Sequence, residues 1–393
     1  MRIKLADDFF IVCLYILSGI MLVGQFFGVP TVTSLAYALS FIFVLALWCL
    51  CLKECRILDI LAVFIIAISF ISVLLTSITL SINYFTNWLT FSSVFLYFSL
   101  CMKVKVKKQT IKKLFAINFI VSVCCCIAYI VRFDKAFYIT FSGVRYLMFN
   151  FYNPNCLAIF LFCLALTGIL YGIFYTRKIY WIAQLCVIAF LALLIMQTLS
   201  RTAIFTFAFF VIIFVLFKRK KRYLLPKSNF FCFVIALFPF LISIAYMIFL
   251  EKLVDNKVFS FMISEGKDLE SRKIVWEYAF ELFLRSPIFG SYGQLLQSTT
   301  FTQVHNSHLN VLVSYGVVVF ALTVLFLFLI MKKISQKSKQ THLELSVWAF
   351  VACIILGSGE AILFSGGLSF YLLAGQFLLL SHANSEKGGE LSR

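Results

Sequence analysis

His305–Met331 reads HNSHLNVLVSYGVVVFALTVLFLFLIM. From Ser307 onward it is one long apolar run, and about 20 such residues in a helix cross the ~30 Å core of a bilayer. Hydrocarbon offers no partner to a backbone N–H or C=O, and a helix satisfies both within the segment. The polar head of the stretch, His305-Asn306-Ser307-His308, then falls at the water-facing mouth of a membrane helix. The rest of the chain repeats the pattern. With 63% hydrophobic and 13% charged residues and a mean hydropathy of +1.02, the 393 residues exclude a soluble fold. Apolar runs near 9–27, 34–52, 57–80, 84–101, 114–132, 154–175, 180–199, 202–217, 230–250, 307–331, 345–362 and 366–381 predict an all-α polytopic membrane protein with about 12 transmembrane helices. Residues 1–393 form a single integral membrane domain. The first run lacks a small-residue cleavage site, so it reads as an uncleaved span.

The net charge of +18 does not point to nucleic acid, because most Lys and Arg lie in short connections between apolar runs. Cytoplasmic loops of membrane proteins carry that excess. With the N-terminus inside, the largest basic clusters, Lys103–Lys113 and Lys218–Arg222, both fall on the cytoplasmic side, as do both termini. Membrane lipids are the expected partners of this charge. Residues 383–393 form a short polar cytoplasmic tail. The 13 Cys lack metal-ligand spacing and read as small apolar helix residues.

Cations on the outer side run against this bias and so invite a functional reading. Arg145 precedes Asn153-Pro154-Asn155, a turn signal that opens the sixth run. Arg201, in Leu199-Ser200-Arg201-Thr202, joins two runs with almost no loop. Residues 251–305 make the one long outer loop, between the ninth and tenth runs. Within it Ile274, Val275, Tyr278, Ala279, Leu282 and Phe283 recur at helical spacing and predict an amphipathic helix over Ser271–Leu284. Asp268 or Ser271 would cap it, Pro287 and Gly290 would stop it, and Arg272 would lie in its first turn. Glu360 closes the eleventh run.

One outer face thus collects Arg145, Arg201, Arg272, His305, Asn306, His308 and Glu360. Arg offers a planar, permanently charged fork that fits phosphate oxygens. Histidine titrates near neutral pH and serves as a general base. Arginines holding a lipid diphosphate as it leaves, with His305 taking a proton from a sugar hydroxyl, satisfy both features without a metal or cofactor. No P-loop, GxSxG, HExxH or paired-acid nucleotide-sugar motif occurs. A transporter or flippase of lipid-linked glycans is the rival from another class. It expects two-fold hydropathy symmetry, which is not evident here.

Four stretches in order carry a family likeness: Arg145 ahead of Asn153-Pro154-Asn155; Ser200-Arg201; Ser271-Arg272 through Trp276 with Ser286-Pro287-Ile288-Phe289-Gly290; and His305-Asn306 with Gly316. Together they resemble the bacterial O-antigen polymerase/ligase family of membrane glycosyltransferases. The resemblance implies an inner-membrane enzyme whose active site faces the periplasm, with the 251–305 loop on that side. It implies transfer of a glycan from undecaprenyl diphosphate to an acceptor hydroxyl. Arg201 and Arg272 would bind the diphosphate and His305 would be the catalytic base. Arg145, Asn306, His308 and Glu360 complete the expected substrate-binding set. The acceptor is another lipid-linked unit in a polymerase, or lipid A core or a protein in a ligase. The aromatic-rich chain leans toward the polymerase, for which a chain-length regulator is a further expected partner.

Overall fold

Each apolar run, bounded by turn or basic residues, carries a helix. A computed structural model describes all residues except 1–2, 52–55, 81–84, 105, 107, 134–135, 140–142, 144, 152, 174–177, 221–226, 255–269, 292–303, 338–340, 362, 365–369 and 382–393. Asp268, much of the 251–305 loop and the 383–393 tail lie outside the described residues. Among those described there are thirteen helices. In chain order they are α1 (Ile3–Phe27), α2 (Pro30–Leu50), α3 (Ile57–Leu80), α4 (Phe85–Cys101), α5 (Lys108–Val131), α6 (Pro154–Ile173), α7 (Lys178–Gln197), α8 (Arg201–Lys220), α9 (Asn229–Val254), α10 (Glu270–Arg285), α11 (Ser307–Lys337), α12 (Thr341–Leu356) and α13 (Phe370–Ser381).

Each of the twelve apolar runs carries a helix, and α10 is the expected loop helix. Five helices are long and apolar enough to cross a membrane: Ile57–Leu75, Gln109–Val131, Pro154–Tyr171, Asn229–Phe249 and Ser307–Gln336. Several others are shorter in their apolar part. All twelve residues of α13 are buried. Helices α6, α12 and α13 pack together at the centre, with α4 against α13. A helix apolar on all sides suits such a position. Here Tyr171 donates to Gln376 Oε1 at 3.2 Å, so the buried amide is met.

Two expectations need correction, and one element is new. Between α5 and α6 lies a two-stranded antiparallel hairpin, β1 (Phe137–Ile139) and β2 (Arg145–Leu147), in register Phe137 to Leu147. Aromatic and β-branched residues on facing strands favour that pairing, and Tyr138 stacks on Tyr146 at 5.4 Å. The eleventh run ends early, because α12 stops at Leu356 and Gly357–Ala361 forms a turn. Finally, α10 buries Val275, Trp276, Ala279 and Leu282, while Ile274 faces outward. The indole of Trp276 settles the rotation by donating to Val304 O at 2.6 Å.

Helix α11 is broken at Gly316 (φ 83°, ψ 177°). The break leaves Val313 C=O and Val317 N–H without their helical partners, since the two would otherwise bond each other. The segment following α10 takes both. Ser291 N donates to Val313 O at 2.6 Å, and Val317 N donates to Pro287 O at 2.8 Å. Approach this close leaves no room for a side chain. A Cβ on Gly316 would lie 2.0 Å from Ile288 O, and one on Gly290 2.5 Å from the Ser314 carbonyl. Pro239 plays a related part inside α9. Proline removes an N–H and disturbs the carbonyls one turn back. Ala236 O there accepts from His308 Nε2 at 2.7 Å, and Pro239 O accepts from Asn306 Nδ2 at 2.7 Å.

A buried ion pair ties α3 to the end of α4. Lys103 Nζ lies 2.8 Å from Asp59 Oδ2. Asp59 also accepts from Ser99 Oγ at 2.5 Å, Trp48 Nε1 at 3.1 Å and Arg56 N at 2.7 Å.

Two stability measurements test these contacts. Gly316→Ala should destabilise the protein by ~2–4 kcal/mol through a strained backbone and a blocked approach, read as a lowered thermal unfolding temperature in detergent. A wild-type melting curve would refute the interlock. Lys103→Ala strands a buried carboxylate and should cost ~3–5 kcal/mol, whereas Lys103→Met with Asp59→Asn should recover much of that loss in the same assay.

Candidate active site

Glu360 is buried in the turn after α12, and three segments converge on its carboxylate. Asn155, in the first turn of α6, donates Nδ2 to Oε1 at 2.5 Å. His305, two residues before α11, places Nδ1 3.1 Å from Oε2. Arg272, in the first turn of α10, brings Nη2 to 3.6 Å from Oε1. A carboxylate can only accept hydrogen bonds, so His305 Nδ1 is the donor in this contact, and Nε2 is the ring nitrogen directed away from it. The His305 side chain is 28% exposed and that of Arg272 34%. Each is therefore held on one side and reachable on the other.

The backbone is set to match. His305 has φ 52°, a left-handed conformation that costs a non-glycine residue ~1–3 kcal/mol. The turn that follows is fastened on both sides. Asn306 Oδ1 accepts from the N–H groups of His308 and Leu309 at 3.0 and 2.9 Å and so caps α11. Its amide donates to Pro239 O and to Ser358 O. Ser307 N donates to Gly357 O at 2.8 Å. Ser307 Oγ donates to Glu360 O at 2.8 Å and accepts from Leu363 N at 3.0 Å. Beneath the turn, a Cβ on Gly359 would meet Thr202 Oγ1 at 2.4 Å. This contact sets the start of α8, and with it Arg201, against the Glu360 turn. Leu199, just ahead, has φ 53°, and Phe149, ahead of the α6 turn, has φ 50°. The described non-glycine residues with positive φ thus all border segments that reach this site.

The expected residues separate into groups. His305, Arg272 and Glu360 come together directly. Arg201 begins α8 beside them, with no ion pair among the described residues. Asn306 is fully buried, and its side chain is occupied in holding the turn. His308 is fully buried too, bonded to α9 and packed edge-on to Phe320 and Phe364. Those are the contacts of a core residue. Arg145 stands apart, its guanidinium carbon 3.9 Å over the Phe137 ring and 5.4 Å over Phe133. Asn155, Ser307 and Thr202 escaped the sequence reading. Asn155 was legible only as part of a turn signal, although Pro154 at the first helical position gave a clue. It starts the helix there and puts the next side chain at the rim.

This geometry offers a base whose tautomer is set by a carboxylate, with one arginine in contact and a second on the adjoining helix start. Residues 185–324 match the family model described as O-antigen ligase. No curated protein matches the chain. The matched segment runs from α7 into α11 and contains Arg201, Arg272 and His305, whereas Arg145, Asn155 and Glu360 lie outside it. Over that segment the chain carries a domain of the O-antigen polymerase/ligase family.

Proposed function

We propose that the protein is a polysaccharide polymerase of the bacterial inner membrane, working on its periplasmic side. It would move a glycan from undecaprenyl diphosphate to a sugar hydroxyl of another lipid-linked unit. The observation that carries this reading is the convergence of His305 and Arg272 on buried Glu360. In the reaction the acceptor hydroxyl gives its proton to His305 Nε2 while its oxygen bonds to the anomeric carbon. The bond from that carbon to the diphosphate oxygen breaks, and the electron pair leaves with the diphosphate. Arg272 and Arg201 hold the charge that develops there, the kind of electrostatic term that dominates many such barriers. His305 later releases its proton to water. Glu360 is a positioning residue that keeps Nε2 free and steadies the imidazolium, as the carboxylate does in a hydrolase triad. All twelve apolar helices cross the membrane in this proposal, with both termini in the cytoplasm. The family model's description favours a second reading, in which the same machinery is a ligase and the acceptor is lipid A core.

In a transfer assay with purified protein, His305→Ala should lower turnover ~10²–10⁴-fold. Arg272→Ala should lower it ~10²–10³-fold, and Arg272→Lys should not restore it because the planar fork is lost. Glu360→Gln should fold yet lose activity, since an amide can donate to Nδ1 and stabilise the wrong tautomer. Full turnover by a stable His305→Ala protein would end the proposal. The surface polysaccharide of a deletion strain decides between acceptors. Single repeat units on the core indicate a lost polymerase, bare core with accumulated long lipid-linked polymer a lost ligase, and units trapped in the cytoplasm a lost transporter.

A further inference from the structure

A cavity of about 620 Å³ lies between α1 and α5, lined by residues that include Ile20, Val23, Phe27, Ile117, Val121 and Cys124. That volume falls within the ~300–1,000 Å³ of ordinary ligand sites, yet the lining contains no charged, hydroxyl or amide side chain. The helices touch at Gly19, where a Cβ would lie 2.6 Å from Val121 Cγ2, and part on either side of that contact. Ile16, Ile20 and Ile120 on its walls are more than a third exposed, so the space opens to the lipid side of the bundle. At one end the character changes. The guanidinium carbon of Arg132 stands 5.7 Å over the Phe27 ring. The next residue, Phe133, together with Phe137 supports Arg145. Tyr129 joins Phe133 and Phe137 to Phe149, whose ring is 4.8 Å from Phe26. Neither arginine faces a carboxylate among the described residues. Two cations held on aromatic rings at the end of a purely apolar groove match a long hydrocarbon chain with an anionic head.

The groove is also tied to the Glu360 site. Asn150 donates to Phe26 O at 3.2 Å, and Asn155 donates to Glu360. Five residues separate the two anchors, and a fully extended chain of that length spans at most ~18 Å. The Phe26 end of the groove and the Glu360 turn are thus bridged by one short stretch of backbone. We propose that the α1–α5 groove, with Arg132 and Arg145 at its end, holds the isoprenoid chain and phosphate of the lipid-linked acceptor, whose attacking hydroxyl lies at the far end of its glycan. This rests on the transfer reaction proposed above.

A polyprenyl diphosphate with a photoreactive group in its chain, added to the full-length protein in nanodiscs, tests it. Label should concentrate on Ile20, Ile117 and Cys124, should persist in His305→Ala, and should be displaced by unlabelled polyprenyl diphosphate but not by phosphatidylglycerol. Ile20→Trp, at a partly exposed wall position, should raise KM for the long-chain acceptor about tenfold, leaving kcat and the KM of a short-chain acceptor unchanged. Label spread over all lipid-facing helices, equal displacement by phosphatidylglycerol, or an unchanged KM in Ile20→Trp would each overturn the assignment. If His305→Ala is inactive but the groove takes no label, the groove assignment fails and the reaction stands. If the groove is labelled while His305→Ala remains active, the reaction fails instead.

Discussion

A carboxylate taken out of water must be met by charge or hydrogen-bond donors, or it costs several kcal/mol. Glu360 imposes that condition on this fold. Its partners are Asn155, Arg272 and His305, from three segments remote in the chain. Meeting the charge therefore fixes where the starts of α6, α10 and α11 lie relative to the turn after α12. It also accounts for the tolerance of left-handed backbone at His305. A helical or extended residue there would not present the same ring to the same oxygen. Strain of this kind persists where surrounding bonds over-determine the conformation, and Asn306 and Ser307 supply those bonds.

The break in α11 supplies the second half of the arrangement. In a continuous helix Val313 C=O and Val317 N–H would satisfy each other and the Pro287–Ser291 segment would have no backbone to join. With the helix open at Gly316, that segment fills the gap and carries the end of α10 with it. The Trp276 indole fastens the middle of α10 to Val304, one residue before His305. The helix bearing Arg272 and the residue bearing the imidazole are thus locked together through short backbone contacts. Loop helices are ordinarily mobile, and these contacts restrain this one.

His305 and His308 show how such constraints divide similar residues. Three apart beside a polar turn, they look equivalent on spacing. The helix begins at Ser307, however, so His305 precedes it and His308 lies within its first turn. The helical one turns inward to Ala236 O, in the turn of α9 before Pro239, and the other turns to Glu360. Arg145 diverges for a comparable reason. A hairpin forms between α5 and α6, and its strand register sets Arg145 on an aromatic face.

Periodicity and length were enough to find every helix among the described residues, because an apolar run in a membrane protein has no other way to satisfy its backbone. Residue chemistry was enough to single out His305, Arg272 and Glu360, because a base, a cationic fork and an acid are rare in so apolar a chain. The other groups that hold the Glu360 turn were not legible in the same way. Asn155 and Ser307 are common polar residues whose task depends on approaches across more than fifty positions of chain. The rotation of α10 and the burial of His308 likewise follow from packing between helices. A one-dimensional pattern carries the period of a helix but not the neighbour that its face will meet.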